Sequence, residues 1–202
     1  MSGKTFSVSE IMEFLEKERI FFDQSSGGVT FSGGEPLVHS KLLIELLDEC
    51  GKRSIHRVVD TAGHVRTELI LEIAKRTDLF LYDLKMMDPV LHQRWTNVRN
   101  EKILHNLKTL AAAGAHIIIR IPLIGGVNDT DENITQTAKF ISGLAGGKKD
   151  VHLLPYHNIA QNKYIKLGKS DDFETLREPG KESLARAIAK FAEYGITASI
   201  GG

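Results

Sequence analysis

The chain has 202 residues, 42% of them hydrophobic, and its 26 Lys and Arg residues balance 26 Asp and Glu residues. This length suits one well-buried domain and falls short of the roughly 250 residues of a closed eightfold α/β barrel. Zero net charge gives no general attraction to nucleic acids, so we expect no nucleic-acid partner. We expect no membrane association and a cytoplasmic location, because no apolar run nears ~18 residues, no signal peptide is evident and cysteine occurs once.

Segments rich in β-branched residues alternate with segments of helical period along the chain. Ser7 and Glu10 form a capping-box pattern that predicts the first helix. Its predicted inner face comprises Val8, Ile11, Met12, Leu15 and Phe22. The predicted strands span residues 29–31, 56–60, 79–84, 116–123, 151–155 and 196–200. The later helices span 40–50, 67–76, 100–113, a segment from Asp129 or Thr130 to about 144, and 181–194. In the first of these, the predicted inward-facing residues are Leu42, Leu43, Leu46, Leu47 and Cys50, and Gly51 is predicted to lie beyond the helix end. This alternation predicts one α/β domain, residues 1–202, with a mostly parallel sheet.

Polar residues follow five of the predicted strands at the point where each strand ends. The side chains are Glu35, Asp60, Asp83, Lys85, Arg120 and His157. Packing could account for any one of them, but parallel strands end at one edge of the sheet, so together they favour a ligand site. Carboxylates accept hydrogen bonds from an ammonium or from hydroxyls, and Lys85 and Arg120 can pair a carboxylate. With Gly33–Gly34 allowing close backbone approach, the pattern predicts a zwitterionic amino-acid moiety joined to a ribose.

Five stretches of the chain carry a resemblance to a known family. They are GGVTFSGGEP at 27–36, DTAG at 60–63, LYDLK at 81–85, IRIPLIGGVND at 119–129 and LLPYH at 153–157. In this order and spacing, over roughly residues 7 to 200, they resemble the activases of glycyl radical enzymes, of which pyruvate formate-lyase activating enzyme is the best known. These activases belong to the radical S-adenosylmethionine (SAM) superfamily. The resemblance implies a partial, open parallel (β/α) barrel, here with the family's first strand missing.

The resemblance also implies roles for the polar residues at the strand ends. The Gly33-Gly34-Glu35 segment would hold the amino group of the methionine part of SAM. Asp83 and Lys85 would contact polar atoms of the cofactor, and Arg120 would hold its methionine or ribose part. His157 would line the pocket near the adenosine.

A monovalent cation is a further implied ligand. Asp60, Thr61 and Asp83 match the positions that bind such a cation in the family, where it would offset two carboxylates that otherwise repel. In the family, a four-iron four-sulfur cluster on a C-x3-C-x2-C loop donates an electron to SAM, and a deoxyadenosyl radical then removes a hydrogen atom from a glycine of the partner enzyme. The implied partners are therefore a glycyl radical enzyme, through its glycine-loop peptide, and a flavodoxin- or ferredoxin-type electron donor.

The sequence departs from the family at two points. Cys50 is its one cysteine and cannot hold a cluster alone, so we expect no cluster and no catalytic residue of that kind in this chain. We interpret the chain as the C-terminal body of an activase and expect an upstream reading frame to encode C-x3-C-x2-C. Asn97 stands where the family usually has glycine, which affects the nearby turn.

Two other functions compete with this interpretation. One is a non-catalytic module that binds SAM or a partner protein. The other is a lyase or aldolase in which Lys85 forms a Schiff base, although the surrounding carboxylates would keep its amine protonated. Three further residues are interpreted as packing residues: Cys50, at helical spacing from Leu43, Leu46 and Leu47, and the pair His92 and Trp95, which share one face of a short helix. Contact with substrate is the alternative for His92 and Trp95.

Overall fold

The computed structural model describes residues 5–147, 149–157 and 176–201. In these ranges the strands are β1 (Gly28–Phe31), β2 (His56–Thr61), β3 (Leu79–Asp83), β4 (Ile117–Leu123), β5 (Asp150–Pro155) and β6 (Thr197–Ile200). They form one six-stranded sheet in chain order, and every neighbouring pair is parallel. Among the described residues, β1 pairs only with β2 and β6 only with β5, so the sheet is open. The predicted open, parallel α/β fold is confirmed.

Helices connect successive strands. The helices in the described ranges are α1 (Val8–Lys17), α2 (Arg19–Ser25), α3 (Ser40–Lys52), α4 (Thr67–Ala74), α5 (Pro89–Thr96), α6 (Glu101–Ala112), α7 (Asp131–Ser142) and α8 (Lys181–Glu193), with a short 3₁₀ helix at Pro36–His39. None of these helices has the length and apolar character needed to cross a bilayer. The boundaries differ from the predicted ones by one or two residues in most cases, because the ends of elements carry the weakest periodic signal.

The core lies between the helices and one face of the sheet. In β4, Ile117, Ile119, Ile121 and Leu123 are buried, whereas Arg120 between them is partly exposed. Successive side chains of a strand point to opposite faces, so a strand can supply apolar residues to the core and polar residues to the other face. Buried residues of α3, α4, α6, α7 and α8 join the same core. The polar residues at the strand ends therefore project from the face that the core leaves open.

The amino-terminal segment forms two helices where a single helical face was predicted. The capping box is present, because Ser7 Oγ accepts from the amide of Glu10 at 3.2 Å and the Glu10 carboxylate accepts from the amide of Ser7 at 2.7 Å. The backbone then turns at Glu18, which separates α1 from α2. Phe22 nevertheless packs with Met12 in a small cluster beside β1, so the predicted inner face is largely correct. Cys50 is fully buried in this cluster, which confirms it as a core residue.

Two predictions for α3 are wrong. Leu42 was assigned to its inner face, but its side chain is 42% exposed. Gly51 was placed beyond the end of the helix, but α3 continues to Lys52, and the left-handed residue that follows it is Ser54 with φ 55°. A Cβ at position 51 would collide with the guanidinium of Arg57, so a larger residue there would require the end of that side chain to move.

The free edge of β1 predicts self-association. Its outer backbone groups lack a neighbouring strand in the described residues, and exposed edges tend to pair. Phe14, Ile20 and Phe21 on α1 and α2 are exposed as well.

We expect light scattering at high concentration to give a mass above the 22.4 kDa of one chain. Thr30→Lys, which adds a charge to the exposed side of β1, should restore the monomer. Ser142→Lys, on the exposed end of α7, should not. A monomeric wild-type chain would contradict the expectation.

Candidate functional site

A guanidinium between two carboxylates forms the centre of the site. Arg120 of β4 donates from Nε and Nη2 to Oδ1 of Asp83 at 3.1 and 2.8 Å, and its Nη2 also donates to Oδ1 of Asp60. Asp83 is the register partner of Arg120 in the parallel pair β3–β4, and Asp60 is the next-to-last residue of β2. The three side chains are 18–20% exposed, so solvent or a ligand can reach them. The central cation offsets the repulsion between the two carboxylates.

Two neighbouring residues extend this charged group along the rim, which is the edge of the sheet where the parallel strands end. Ser32, directly after β1, donates from its hydroxyl to Oδ2 of Asp60 at 2.8 Å. Lys85 Nζ lies 3.7 Å from Oδ2 of Asp83. The structure thus brings together Asp60, Asp83, Lys85 and Arg120 as the sequence predicted. Ser32 was not among the predicted site residues. Its position between a strand and the Gly33–Gly34 pair could have identified it as one.

Glu35 and Thr61 form a second, more buried group. The Glu35 carboxylate accepts from the Thr61 hydroxyl at 2.7 Å, from the Ala62 amide at 3.0 Å and from the Leu37 amide at 3.2 Å. These bonds fasten the loop after β1 to the end of β2. Gly33 and Gly34 stand in the same loop with φ of 92° and 71°, values that favour glycine, and the space next to their Cα atoms is open. A ligand at this loop would therefore meet backbone rather than the Glu35 carboxylate.

The predicted cation ligands do not form one set in the structure. Thr61 is buried, and its hydroxyl donates to Glu35 and accepts from the Gly63 amide at 2.8 Å. The carboxylates of Asp60 and Asp83 have Arg120 as their counter-charge. Within the described part of the chain, no three His, Cys, Asp or Glu side chains are grouped closely enough to hold a metal ion. The monovalent cation stays a prediction.

The glycine of the DTAG stretch allows two strands to pack. Gly63 has φ 69°, and a Cβ there would collide with the Tyr82 hydroxyl, which donates to the Ile103 carbonyl at 2.8 Å. Asn106 of α6 then holds the turn, because its Nδ2 donates to the Gly63 and Val65 carbonyls at 2.8 Å each. This glycine therefore serves the packing behind the rim and need not contact a ligand.

Among the described hydrogen bonds and ion pairs, none joins His157 to the charged rim. It follows β5 as predicted, but its side chain is 65% exposed, with Nδ1 3.4 Å from Oε1 of Glu178. An apolar pocket of about 290 Å³ opens between Lys85 and the end of β5. Met86, Trp95, Pro122 and Ile124 are among its lining residues, and the Tyr156 hydroxyl that borders it is buried with no hydrogen-bond partner among the described residues. A ligand that enters this pocket could satisfy that hydroxyl.

The turn beside Trp95 keeps the geometry that a glycine would give it. Asn97 ends α5 with φ 64°, and its amide donates to the Gln93 carbonyl at 2.9 Å. Asparagine adopts this left-handed conformation more readily than most other residues, so the departure from glycine preserves the turn. His92 is buried in the same helix, and its Nδ1 lies 2.7 Å from the Val98 carbonyl, to which it donates in the tautomer that carries its proton at Nδ1. The prediction that His92 is a packing residue is confirmed.

Burial of His92 predicts a pH dependence of stability. Desolvation lowers the pKa of its imidazole below the usual value of 6.5, so the unfolded chain binds a proton that the folded chain does not. Stability from this group is therefore present above about pH 6.5 and is lost as pH falls through the folded pKa, by at most about 1.4 kcal/mol per pH unit. Urea unfolding between pH 7 and 5 should show a shallower loss in His92→Gln than in the wild type. His105→Gln, at an exposed position, should keep the wild-type slope, and an equal slope in all three proteins would contradict the assignment.

Comparison with known proteins identifies the family. The family model of the Radical SAM superfamily matches residues 2–141. The chain belongs to the radical SAM superfamily. It is 39% identical over 203 residues to the trans-4-hydroxy-L-proline dehydratase activating enzyme of Clostridioides difficile, covering 99% of this chain and 67% of that protein. It is 37% identical to the (2S)-3-sulfopropanediol dehydratase activating enzyme of Klebsiella oxytoca, covering 95% of this chain and 61% of that protein.

A solved structure supports the same relationship. A domain of pyruvate-formate lyase-activating enzyme from Bacteroides vulgatus ATCC 8482 matches with a TM-score of 0.75 and 40% sequence identity. The match covers 87% of this chain and 99% of that domain. The predicted membership is thus confirmed, and this radical SAM chain spans about two thirds of the length of the activating enzymes to which it is similar.

Proposed function

We propose that this chain is the SAM-binding body of an activase that generates a glycyl radical on a partner enzyme. The observation that carries the proposal is the Asp60–Arg120–Asp83 group at the strand ends of a radical SAM chain whose relatives are activating enzymes. The rim presents both charge signs and an open glycine loop, as a zwitterionic cofactor with a ribose requires.

Each rim residue would have a defined task toward the cofactor. Carbonyls of the Gly33–Gly34 backbone would accept from the ammonium, since the Glu35 carboxylate is occupied by Thr61 and Ala62. Lys85 would pair the carboxylate, Asp83 would accept from ribose hydroxyls, and Arg120 would hold Asp83 in place while contacting the methionine or ribose part. His157, being exposed, would close over the adenosine. In this family the cofactor supplies the chemistry of hydrogen abstraction, and the protein supplies position and electrostatics.

The iron–sulfur cluster does not fit the residues of this chain. Cys50 is fully buried, its sulfur lies 3.9 Å from that of Met12, and burial raises the pKa of its thiol. A cluster needs several thiolates and the chain has one cysteine, so the others would have to come from outside the 202 residues. The flavodoxin- or ferredoxin-type electron donor would act on that external cluster. A single buried thiol also suits the cytoplasm, which we propose as the location.

The proposed partner is a glycyl radical enzyme whose glycine-loop peptide reaches the rim. The pocket beside Lys85 supports this part of the proposal, because it is mainly apolar and is bordered by the Tyr156 hydroxyl, which has no hydrogen-bond partner within the described ranges. A peptide supplies both kinds of group, an apolar side chain and backbone hydrogen-bonding groups.

Binding of SAM itself is the direct test. Charge-assisted hydrogen bonds contribute roughly 1.5–3 kcal/mol each, before the cost of ordering the ligand is subtracted. We expect saturable but weak binding, with little heat in calorimetry at micromolar SAM and occupancy at millimolar SAM. Asp83→Asn should weaken it about tenfold or more, whereas Asp150→Asn, at the exposed start of β5, should leave it unchanged. A nanomolar constant, or no saturation at millimolar SAM, would contradict the proposal.

Iron loading tests whether this polypeptide needs external cysteines. After anaerobic reconstitution with iron and sulfide, we expect no stoichiometric iron and no cluster-type absorption band, with Cys50→Ser behaving as the wild type. Stoichiometric iron with such a band in the 202-residue chain would overturn this part of the proposal.

The buried state of Cys50 also favours a second candidate, a non-catalytic module that binds SAM or a partner protein. The upstream reading frame discriminates the two functions. A C-x3-C-x2-C motif encoded there supports the activase, and an unrelated protein with its own stop codon supports the binding module.

A further inference from the structure

Three asparagine side chains hold the loop that follows β3. Asn100 Nδ2 donates to the Met86 and Met87 carbonyls at 2.9 and 2.8 Å. Asn133 Oδ1 accepts from the Met87 amide at 2.9 Å. Asn128 Nδ2 donates to the Lys85 carbonyl at 2.6 Å. Four polar backbone groups of residues 85–87 are thus fixed by side chains from the loop after β4, from the residue before α6 and from the first turn of α7.

Asn128 joins the loops that follow β3 and β4. Its second Nδ2 proton goes to the Pro122 carbonyl at 2.7 Å, and its Oδ1 accepts from the Ile124 amide at 2.8 Å. The side chain is 1% exposed, so no water competes for these bonds. On the other side of Lys85, the Leu84 amide donates to the Arg120 carbonyl at 2.9 Å. The main chain of Lys85 is therefore bound to the β4 strand and its loop immediately before and immediately after the residue.

We propose that Asn128 is a positioning residue, which fixes the main chain of Lys85 so that its ammonium stands beside Asp83 on the rim. The long side chain of lysine has many rotamers, and an anchored backbone reduces the positions that its Nζ can take. Asn128 is suited to the task because an amide has two donors and an acceptor, and the three backbone groups here need that combination. The consequence for binding rests on the proposed function, in which Lys85 pairs the carboxylate of SAM.

Asn106 provides a matched control. It is also buried, and its Nδ2 likewise donates to two backbone carbonyls, those of Gly63 and Val65. It holds the loop after β2 and makes no contact with residues 85–87 among the described hydrogen bonds. Asn106→Ala therefore removes the same kind of bonds as Asn128→Ala but leaves the anchor of Lys85 intact.

The first measurement needs no cofactor. Reductive ¹³C-dimethylation labels the lysine amines while keeping their charge, and Lys85→Arg assigns the Lys85 resonance. We expect Asn128→Ala to shift or broaden that resonance, and Asn106→Ala to leave it in place. If Asn128→Ala does not fold, Asn133→Ala, which loses the bonds to the Met87 amide and the Asn128 carbonyl, should give a smaller change in the same direction. An unchanged Lys85 resonance in every folded variant would overturn the proposal.

The second measurement compares two ligands by NMR titration at millimolar concentration. SAM carries the carboxylate that Lys85 would pair, and 5′-methylthioadenosine lacks the whole amino-acid part. Asn128→Ala should weaken the binding of SAM about tenfold, which corresponds to the loss of one charge-assisted bond. It should leave the binding of methylthioadenosine unchanged. The Lys85→Met, Asn128→Ala double variant should bind SAM no more weakly than Asn128→Ala alone. The proposal would be overturned if Asn128→Ala weakened the binding of both ligands equally. It would also be overturned if Asn106→Ala weakened the binding of SAM and not that of methylthioadenosine. If the Lys85 resonance moves but the wild type binds no SAM, the positioning role stands and the proposed function fails.

Discussion

The site depends on the placement of one cation, the guanidinium of Arg120, between the carboxylates of two neighbouring strands. Two like charges about 5 Å apart repel by roughly 3 kcal/mol at an effective dielectric constant of about 20. Asp60 and Asp83 can therefore stand together at the strand ends only with a positive charge between them, and β4 supplies it because its register places Arg120 opposite Asp83. Ser32 and Lys85 attach to the outer oxygens of the same carboxylates. Sheet register and site electrostatics are thus parts of one arrangement.

The order of strands and the identity of the rim could be predicted because both follow from local patterns. Short β-branched segments alternate with amphipathic helices, and in parallel folds the residues after the strands meet at one edge. Asp60, Asp83, Lys85 and Arg120 are close together for this reason. The resemblance to the family indicated which ligand each residue would bind, and the spacing of the residues alone could not indicate it.

Several features depend on partners that lie far away in the chain, and for this reason the sequence could not predict them. The Glu35 carboxylate is bound by Thr61 and Ala62, so its charge serves the loop and not the open rim. Asn128 lies in the 119–129 stretch that carries the family resemblance, but that stretch does not indicate its bonds, since the carbonyls that it binds belong to Lys85 and Pro122. Such contacts are set by tertiary packing, which a local pattern does not encode.

A crystal structure of this chain with SAM would test the account most directly. The account predicts density for the methionine part over the Gly33–Gly34 backbone and beside Lys85, with the ribose against Asp83 and with Arg120 still paired to Asp60 and Asp83. Density for SAM at another surface, or an Arg120 side chain that leaves both carboxylates when the cofactor binds, would contradict it.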